Sequence, residues 1–527
     1  MSASISVEKA PHVHPTRMRH IPDEDLFAAL GTDSRAWRRR APVPAGLPAA
    51  GADALLGVEV DFLDKGHGRS RLYGFHYLRW MTPLVAAYAE SGDQRYADEW
   101  ERLFRQWYAG RDLVEGDWPG LDVVWYSLGV CARSMYVTQA LAVLGAAVGE
   151  ECWKEMMKTV LGGARWAAEE HDEFRHGNWQ FATVCELLHT ARVFEELPEA
   201  AGWAEIATAR IHEHLERDVR ADGGHHERSP GYHGMCLDAL KRAAAVEPEL
   251  AAHPRYLAMH DWLAALMTSG GWVPHLQDSG VVWPEGIEPA KGSLNLEASG
   301  YAVFRSDTFH TVINYGSYVG HELEPHSHHA ALDFVIAGWG VPLAWEAGGP
   351  PSYDDPGYYD WYQATRAHNT LLVPGHDYTE DRRAACDLFR TTRELDVFKG
   401  HHHGYPARHD RTIVFVRDPG YWVITDRIEA EAIWQVHGLS PWVRLGDGHV
   451  SERGPGLLVV PLDPPDEVLL GNGPARIPDP VTRTAEYGEI HSLGLRRRDG
   501  RFTVGLFPFL DEPPTIPDGW TVHADRR

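Results

Sequence analysis

The sequence has few cysteines, a deficit of basic residues and no long apolar segment. Its 527 residues include 5 Cys without a CxxC pair, which argues against a disulfide framework and predicts reduced, buried thiols. Lys and Arg number 50 against 75 Asp and Glu, and the net charge of -25 repels nucleic acid and anionic membranes. The chain has no apolar run of about 18 residues, so no membrane helix is predicted. An acidic substrate would therefore need a local positive field, built by a few Arg and His in a cleft.

Two further features are missing from this chain. The first residues, MSASISVEKAPHVHPTRMRH, contain basic side chains but no apolar run after them. They do not resemble a secretory signal, so a cytoplasmic protein is expected. No glycine-rich phosphate loop is evident, and a nucleotide cofactor is not expected. We interpret residues 1–22 as a polar, flexible N-terminus.

A long helical pattern is followed by a strand pattern. The length predicts two or three domains, and 44% hydrophobic residues with 20 Trp predict well-packed ones. Residues 23–295 have helical periodicity, which predicts an α/α toroid and leaves a simple bundle as the alternative. Residues 296–527 have short β-branched and aromatic runs, which predict an antiparallel β-sandwich. The expected fold class is multidomain α+β, with a ligand cleft between the two parts.

The boundaries of the individual elements follow from the same periodicities. Predicted helices cover Tyr73–Glu90, Tyr96–Tyr108, Val123–Gly149, 150–170, 178–196, 199–218, 231–246 and 254–269. Predicted strands cover Tyr301–Arg305, Thr311–Tyr315, Thr370–Val373, Thr412–Val416, Tyr421–Thr425, Gly456–Pro461, Ile490–Arg496 and Phe502–Phe507. Asp418-Pro419-Gly420 predicts a hairpin turn.

Two polar clusters lie at predicted helix starts. The first runs from Arg175 to Gln180, and its Asn178 is either a helix N-cap or an amide that binds a substrate carboxylate or carbonyl. The second is DGGHHERSPGYH, which ends with Tyr232 and His233. Tyrosines at such positions are mostly packed against neighbours. Alternatively, the helix N-terminus and the nearby Arg228 favour the phenolate, which is a competent general base.

The densest chemistry lies between Glu324 and Thr370. The histidines that open this stretch form either an exposed polar turn or part of a site. His328, Glu346 and His368 together are a candidate metal set, because two imidazoles and one carboxylate with an open fourth position suit zinc. Their spacing is not a local motif. The later run His401-His402-His403 is interpreted as surface histidines.

Taken together, these segments resemble the heparinase II/III type of polysaccharide lyase, which has an α/α toroid followed by a β-sandwich domain. HGNWQ holds that family's Asn-Trp, and DGGHHERSPGYH resembles its Asp-Gly-Gly…Glu-x-Ser…Tyr-His segment. HSHHAALDF resembles its His-x-His-x-Asp-x-Leu-Ser-Phe, and RAHNT resembles its closing His-Asn-Thr. The four motifs occur in the family's order, roughly from residue 70 to residue 430. They indicate the family but not the substrate.

The resemblance implies a role for each matching residue. Asn178 is expected to neutralise a uronate carboxylate, Tyr232 to be the catalytic tyrosine, and His326 to be catalytic or substrate-binding. The implied cofactor is a structural divalent metal, expected to be Zn²⁺, on His328, Glu346 and His368. The substrate-binding candidates are His176, Trp179, Glu227, Arg228, His233 and Arg366.

The sequence departs from the family pattern at three positions. Ala330 stands where the family has Asp after its His-x-His pair, and Asp333 stands where it has Ser. Glu346 replaces the usual Asp among the metal ligands; Glu is an acceptable zinc ligand but one methylene longer. The missing Asp is expected to remove a partner of a metal ligand, or to mark a subgroup with an unusual substrate.

The reaction implied is β-elimination on a uronic acid. Its C5 proton is poorly acidic while the neighbouring carboxylate keeps its charge, so Asn178 is expected to donate to that carboxylate. Tyr232, as phenolate, takes the C5 proton, and in a syn elimination it also protonates the departing O4. His326 assists. The product is a 4,5-unsaturated uronosyl end, and the metal braces the sandwich loops.

Two other functions stay open. A glycoside hydrolase on the same toroid needs two carboxylates across the cleft, and a non-catalytic carbohydrate-binding relative is suggested by Ala330. The expected partner is an acidic oligo- or polysaccharide, with exo action on imported oligosaccharides; a homodimer is the assembly considered, and neither nucleic acid nor a membrane is expected. The carboxylates available to a hydrolase are Asp172, Glu173, Glu227 and Asp333.

Overall fold

The computed structural model describes residues 49–66, 68–116, 122–169, 177–319, 326–376, 378 and 383–515. Within these ranges helices come first and antiparallel strands follow, which confirms the predicted order of an all-helical and an all-β part. Contacts divide the chain into two compact units. The helical unit comprises residues up to Arg217, Asp238–Ala252 and Ser352–Asp354, and the β unit comprises Asp218–Leu237, His253–Pro351 and the residues from Asp355 onward.

The division into units differs from the boundary that the sequence suggests at residue 295. The segment that contains Tyr232 belongs to the β unit, although it precedes that boundary. The described helices, numbered in chain order, are α1 Ala52–Leu55, α2 Arg69–Phe75, α3 Thr82–Ser91, α4 Gln94–Gly110, α5 Ser127–Leu144, α6 Glu150–Glu169, α7 Asn178–Val193, α8 Ala200–Arg217, α9 Pro230–Val246 and α10 Pro254–Leu266.

The predicted helix Tyr73–Glu90 is in fact interrupted. The first residues of the predicted helix belong to α2, which ends at Phe75, and α3 starts only at Thr82. Leu78 between them has a left-handed backbone with φ 65°, and Pro83 sits in the first turn of α3. Since proline lacks an amide hydrogen, it is tolerated at a helix start but interrupts a helix interior. The apolar periodicity of this stretch was therefore correct, but its continuity was wrong.

The other helices match their predicted positions within a few residues, and α4 shows why. The Asp93 side chain caps it by accepting a hydrogen bond from the Arg95 amide at 3.0 Å. Trp100, Leu103 and Trp107 recur at helical spacing and are buried. Burying a side chain such as Leu103 stabilises the fold by about 1.5–3 kcal/mol.

Helix α5 is the only described helix that is long and apolar enough, by length and composition, to cross a membrane. Of its 18-residue window, 67% is buried inside the protein. Apolar residues occur on all sides of this helix, as expected for a helix enclosed by its neighbours. Contacts with α6 and α7 cover it within the helical unit.

The strands form three antiparallel sheets. Their orders are β1-β2-β3-β4-β5, β12-β13-β14-β17-β10-β9-β8-β7 and β15-β16-β11-β6. The described strands are β1 Leu294–Leu296, β2 Tyr301–Arg305, β3 Phe309–Asn314, β4 Asp333–Gly338, β5 Val341–Ala344, β6 Leu371–Leu372, β7 Ala384–Thr391, β8 Leu395–His402, β9 His409–Val416, β10 Tyr421–Ile428, β11 Ala432–Gly438, β12 Trp442–Leu445, β13 Gly448–Ser451, β14 Gly456–Pro461, β15 Glu467–Asp479, β16 Thr484–Arg497 and β17 Arg501–Phe509.

All eight predicted strands are present, and two of them have the predicted bounds. The turn at Asp418-Pro419-Gly420 joins β9 to β10, with Val416 opposite Tyr421. One apolar cluster takes residues from all three sheets, among them Phe334, Trp422 and Trp434. The β unit is therefore held by a shared core into which alternate residues of each sheet point.

A polar network is enclosed in this apolar core. His402, His409, Arg411 and Asp426 are each 0% exposed. The Gly404 amide donates to His402 Nδ1 at 3.0 Å, His402 Nε2 lies 2.8 Å from His409 Nδ1, and His409 Nε2 lies 2.6 Å from Asp426 Oδ1. Because an amide can only donate, each histidine is a neutral tautomer that passes a hydrogen bond toward Asp426. The surface interpretation of His402 was wrong.

Arg411 connects this network to two segments of the chain. Its Nε and Nη2 bind Asp426 at 2.7 and 3.0 Å. Its Nη1 donates to the carbonyls of Leu332 and Asn369 at 2.6 and 2.7 Å. Burial raises the pKa of Asp426, but Arg411 and His409 outweigh it and hold that pKa below its usual range. The ion pair thus fixes the backbone just before Asp333 and just after His368.

We expect Arg411→Met to destabilise the protein by about 3–5 kcal/mol, because it leaves the Asp426 carboxylate buried without its cation. Urea unfolding followed by tryptophan fluorescence measures this. Arg408→Met is the matched control, since Arg408 pairs with Asp410 at 2.7 Å on the exposed surface, and such pairs contribute about 0–1 kcal/mol. Equal effects of the two substitutions would contradict a bracing role for Arg411.

Candidate functional site

The β4–β5 hairpin brings the candidate site residues together. The two strands are antiparallel, with Ile336 opposite Ala344. The chain that enters β4 carries the histidines from His326 onward, and the chain that leaves β5 carries Glu346. Since antiparallel neighbours run in opposite directions, the entering and leaving segments meet at one end of the hairpin.

His368 is held at the same end by the residue that follows it. Asn369 donates from Nδ2 to the carbonyls of Phe334 and Trp345, at 2.7 and 2.9 Å. The backbone N–H of Asn369 donates to Asp333 Oδ1 at 2.7 Å. The amide side chain therefore connects the first residues of β4 with the residue after β5, and it places His368 beside both.

His328, Glu346 and His368 form one buried group whose candidate ligand atoms all lie within 4.8 Å of one another. The geometry thus assembles the three residues that the resemblance implies as metal ligands. His368 Nε2 donates to the Tyr362 carbonyl at 3.1 Å, and its Nδ1 lies against Glu346 Oε2. A carbonyl partner on one nitrogen of a histidine fixes the other nitrogen as a metal ligand.

The atoms of this group also fit a metal ion by their lack of other partners. Among the described residues, neither ring nitrogen of His328 nor Oε1 of Glu346 has a hydrogen-bond partner, although these atoms are buried. Burial, reinforced by His368, holds the pKa of His328 well below its usual range, so its imidazole is neutral and has a lone pair to give. The group could therefore hold a metal ion through two nitrogens and one oxygen.

The electrostatics of the group favour a cation. Burial raises the pKa of Glu346 to about 7, and the neighbouring Asp333 adds to this while His368 opposes it. Burial alone would lower the pKa of His368, but Glu346 and Asp333 raise it to about 10. Two carboxylates in a buried place thus stabilise a positive charge between them, whether carried by a proton or by a metal ion.

The structure resolves what the departure at Ala330 does. Ala330 is buried, and its carbonyl accepts from Asn314 Nδ2 at 2.9 Å. Asp333 Oδ2 lies 3.4 Å from His368 Nδ1. Although Ala330 offers no carboxylate, Asp333 places one beside His368 from three positions later, so this candidate ligand has an acidic partner.

A second group lies in the same unit and contains the proposed base. The rings of Tyr232 and His326 stack with centroids 3.8 Å apart and an angle of 13°. His326 Nδ1 donates to Glu227 Oε2 at 2.7 Å. Glu227 is 2% exposed, so its carboxylate faces His326 rather than a ligand. We expect Glu227 to orient and charge His326, in place of the substrate-binding role predicted for it.

The charges of this pair are opposite. Burial alone would raise the pKa of Glu227, but His326 holds it well below its usual range. Burial would lower the pKa of His326, but Glu227 raises it above its usual 6.5. The pair is therefore a carboxylate with an imidazolium, and the imidazolium lies face to face with the Tyr232 ring. A cation against a phenol ring favours its phenolate.

The segment His275–Ser279 joins the two groups. Gln277 Oε1 accepts from the His328 amide at 2.6 Å, and the Asp278 amide donates to the His326 carbonyl at 2.9 Å. At the other side, Ser279 Oγ accepts from the Gly231 amide at 2.8 Å, next to Tyr232. The spacing between Tyr232 and the group of His328, Glu346 and His368 is thus set by hydrogen bonds to one short segment.

Strained backbone is concentrated around these groups. Arg228, Gln277 and Leu332 have φ values of 61°, 62° and 59°, in the left-handed region that residues other than glycine rarely adopt. Each is a neighbour of a residue discussed above, namely Glu227, Asp278 and Asp333. Such strain persists only where surrounding contacts hold it, and it is typical of functional sites.

Two predicted substrate-binding residues have structural positions instead. Arg228 is 2% exposed, and it donates to the carbonyls of Ser299 and Ser317 at 2.7 and 2.8 Å. His233 accepts from the His225 amide on Nδ1 at 3.3 Å and donates from Nε2 to the Met259 carbonyl at 3.0 Å. Their polar atoms are committed to the protein, so we expect both to support the Tyr232 helix rather than bind substrate.

Asn178 is the first residue of α7 in the helical unit, with Gly177 at the N-cap position, so the capping interpretation was wrong. Its side chain is buried, and Trp179 contacts Tyr126 edge to face at 5.3 Å. His176 lies outside the described residues. Arg366 is exposed, with its guanidinium 6.0 Å from the Trp361 ring centroid.

Several residues that hold the site were not predicted from the sequence. Gln277 and Asp278 lie in a stretch without a motif, and Gln435 donates to the carbonyls of Thr365 and His368 at 2.6 and 2.9 Å from strand β11. A polar residue inside a strand of buried residues is the signal that could have indicated Gln435. No local pattern distinguishes Gln277 and Asp278, because their partners are about 50 residues away.

Two family descriptions match the chain. "Heparinase II/III N-terminus" matches residues 71–259, and "Heparinase II/III-like, C-terminal" matches residues 288–447. A heparin-sulfate lyase of Pedobacter heparinus is 22% identical over 401 residues, which are 68% of this chain and 60% of that protein. The chain thus spans less than two thirds of the length of this curated relative.

Solved structures share the fold. A heparan sulfate lyase from Pedobacter heparinus has a TM-score of 0.60 and 18% identity, covering 90% of this chain and 84% of its own. A heparinase III structure has a TM-score of 0.71 and 14% identity, covering 94% of this chain and 88% of its own. These likenesses confirm the predicted fold class.

We expect His328→Ala and His368→Ala to lose a bound divalent metal and to lower the melting temperature. Loss of a direct ligand should weaken metal affinity by more than about 100-fold, since outer partners alone contribute 10- to 100-fold. Metal content by atomic emission and thermal unfolding with and without chelator measure both effects. His376→Ala is the control, since His376 is exposed. Unchanged metal content in both variants would refute the assignment.

Proposed function

Because the chain belongs to the heparinase II/III family, we propose that it is a polysaccharide lyase that cleaves a uronic-acid-containing glycan by β-elimination. The observation that carries the proposal is the stack of Tyr232 on His326, with Glu227 charging the histidine from behind. A tyrosine beside a fixed cation is a base that can act near neutral pH. The buried metal group of the same unit supports the assignment.

The proposed reaction moves one proton and breaks one carbon–oxygen bond. Tyr232, as phenolate, takes the C5 proton. The electron pair of the C5–H bond then forms the C4–C5 double bond as the C4–O4 bond breaks. The departing oxygen receives a proton, from Tyr232 in a syn elimination. Asn178 is proposed to donate its amide to the uronate carboxylate, which stabilises the charge that develops there.

His326 has two proposed contributions. Its charge favours the phenolate before proton transfer, and its position against the ring fixes the direction of the Tyr232 hydroxyl. Glu227 is needed for both, because burial would otherwise remove the proton from His326. Glu227 is thereby a positioning residue rather than one that touches substrate.

The metal is proposed to be Zn²⁺, held by His328, Glu346 and His368 with Asp333 beside them. When bound, it would supply a fixed positive charge that locks these three side chains together. Asp333, Asn369 and Tyr362 orient the ligands through the contacts described above. No hydroxide nucleophile is needed for an elimination, so a bracing role suffices.

The substrate proposed is an acidic glycan of the glycosaminoglycan type, since the matched relatives are named as heparin-sulfate and heparan sulfate lyases. We further propose exo action on oligosaccharides in a cytoplasmic setting; a homodimer is the assembly to be tested. A hydrolase is not favoured: Glu227 and Asp333 are committed to His326 and to the metal group, and Asp172 and Glu173 lie outside the described residues.

The proposal predicts an unsaturated product. Incubation with a panel of uronate oligosaccharides should raise ultraviolet absorbance for at least one of them, and Tyr232→Phe should reduce the rate by about 100-fold or more, since it removes the base. Equilibrium binding of the same oligosaccharide to Tyr232→Phe serves as the control for folding. Flat absorbance across heparan-, chondroitin- and alginate-derived substrates would refute the lyase assignment.

A second prediction concerns pH. Glu227 raises the pKa of His326, so the imidazolium persists above the pH at which an ordinary histidine is half deprotonated. In Glu227→Gln burial, which lowers that pKa, is opposed only by the smaller effect of Asp278, so the cation is lost as pH rises through a lower value. We expect kcat/KM near neutral pH to fall by about 10- to 100-fold. The rising limb of its pH profile should move to higher pH.

Two measurements check this prediction. The pH–rate profile reports the displacement, and the His326 ring proton resonance reports its titration directly. Glu285→Gln, an exposed substitution in the same unit, should change neither. An unchanged His326 titration in Glu227→Gln would contradict the proposed role of Glu227.

A further inference from the structure

The long hairpin formed by β15 and β16 reaches the loop between the metal ligands Glu346 and His368. Trp361 Nε1 donates to the Pro474 carbonyl at 2.7 Å, and Tyr487 Oη donates to the Gly349 carbonyl at 2.9 Å. Gly473 admits the Trp361 ring: a Cβ at this glycine would lie 2.1 Å from it. The hairpin is thus built against the chain segment that carries the site.

Arg476 is the cation that this hairpin presents there. Its Nε donates to Tyr487 Oη at 2.6 Å, its Nη2 lies 3.3 Å from the Pro350 carbonyl, and its guanidinium stacks 4.8 Å from the Tyr487 ring centroid. Its Nη1 lies against Gly280, where a Cβ would be only 3.1 Å away. The planar group is therefore fixed by Tyr487 and the backbone, while Nη1 stays available.

Arg476 lies beside the segment that contacts the residue before the proposed base. Gly280 follows Ser279, which accepts the Gly231 amide next to Tyr232. His275, in the same segment, donates to the Glu346 carbonyl at 2.9 Å. Arg476 is thus adjacent to the segment that connects the base with the metal group.

The charge of Arg476 is not neutralised by the protein. Among the described residues, no carboxylate lies within 4.0 Å of it. Arg496 on the same hairpin does have acidic partners: it pairs with Glu431 and, at 2.9 Å, with Glu467. In a chain of net charge -25, an arginine without an acidic partner beside a candidate active site is an available anion-binding group.

Resting on the proposed function, we propose that Arg476, seated on Tyr487, binds an anionic group of the sugar next to the one that loses its C5 proton. The group is a carboxylate or a sulfate ester, both of which match the donor pairs of a guanidinium. Arg476 is then a substrate-binding residue that selects acidic saccharides. Arg366, the exposed cation on Trp361, belongs to the same loop and extends the positive field.

The test compares Arg476→Gln and Arg476→Lys with wild type on a heparan sulfate tetrasaccharide and its chemically desulfated form. We expect Arg476→Gln to raise KM by about 10- to 100-fold, with kcat changed by less than about threefold and the melting temperature by less than about 2 °C. Arg476→Lys should recover part of the loss, because it keeps the charge but not the fork.

Two control variants separate binding from bracing. Tyr487→Phe removes the hydroxyl that accepts from Arg476 and donates to Gly349, yet it leaves the ring and the cation. Arg496→Gln removes a paired cation from the same hairpin. If Arg476 only braces the loop, Tyr487→Phe will reproduce its effect, or Arg476→Gln will lower kcat and melting temperature with KM unchanged; either result overturns the proposal.

The two substrates identify the anion. A KM effect that disappears on desulfation assigns the group to a sulfate ester, and one that persists assigns it to a carboxylate; both support the proposal. Calorimetric binding of the same tetrasaccharides to wild type and Arg476→Gln separates this inference from the proposed function. If neither substrate is cleaved, weaker binding by Arg476→Gln still supports the anion site, and equal binding overturns it.

Discussion

The buried ion pair of Arg411 with Asp426 is the interaction on which the site of the β unit depends. A guanidinium in an apolar core is costly unless it is paired with a carboxylate and hydrogen-bonded. Here two donors hold the carboxylate and a third nitrogen holds the carbonyls of Leu332 and Asn369. The strand that begins with Asp333 and the loop that carries His368 are thereby set relative to one another before any ligand binds.

The site then uses charge in two opposite ways. The candidate metal group places the carboxylates of Glu346 and Asp333 beside the imidazoles of His328 and His368. The Tyr232 group instead places a positive charge on His326. The segment His275–Ser279 lies between them and touches both through hydrogen bonds. Each group would perturb the other if they merged. The short connecting segment, with its left-handed Gln277, keeps them apart while fixing their distance.

The sequence predicted the order of helices and strands and the three-residue metal group, because these follow from periodicity and from motifs that occur in a fixed order. It could not predict the interruption of Tyr73–Glu90, where a backbone turn at Leu78 overrides a continuous apolar stripe. Nor could it predict the buried place of His402, since a run of histidines has no alternation that distinguishes surface from core. The charge of Arg228 suggests a substrate ligand, whereas its hydrogen bonds in the structure go to carbonyl oxygens of distant residues.

Because Tyr232 belongs to the β unit, its contacts can be inherited independently of the helical unit. Tyr232, His326, Glu227 and the candidate metal ligands all lie in one compact unit, whereas Asn178 lies in the other. Recombination between relatives can therefore exchange the helical part as a module and leave the stack of Tyr232 on His326 intact. Divergence of the helical unit within such a lineage would then leave the contacts of Tyr232, His326 and Glu227 unchanged in the other unit.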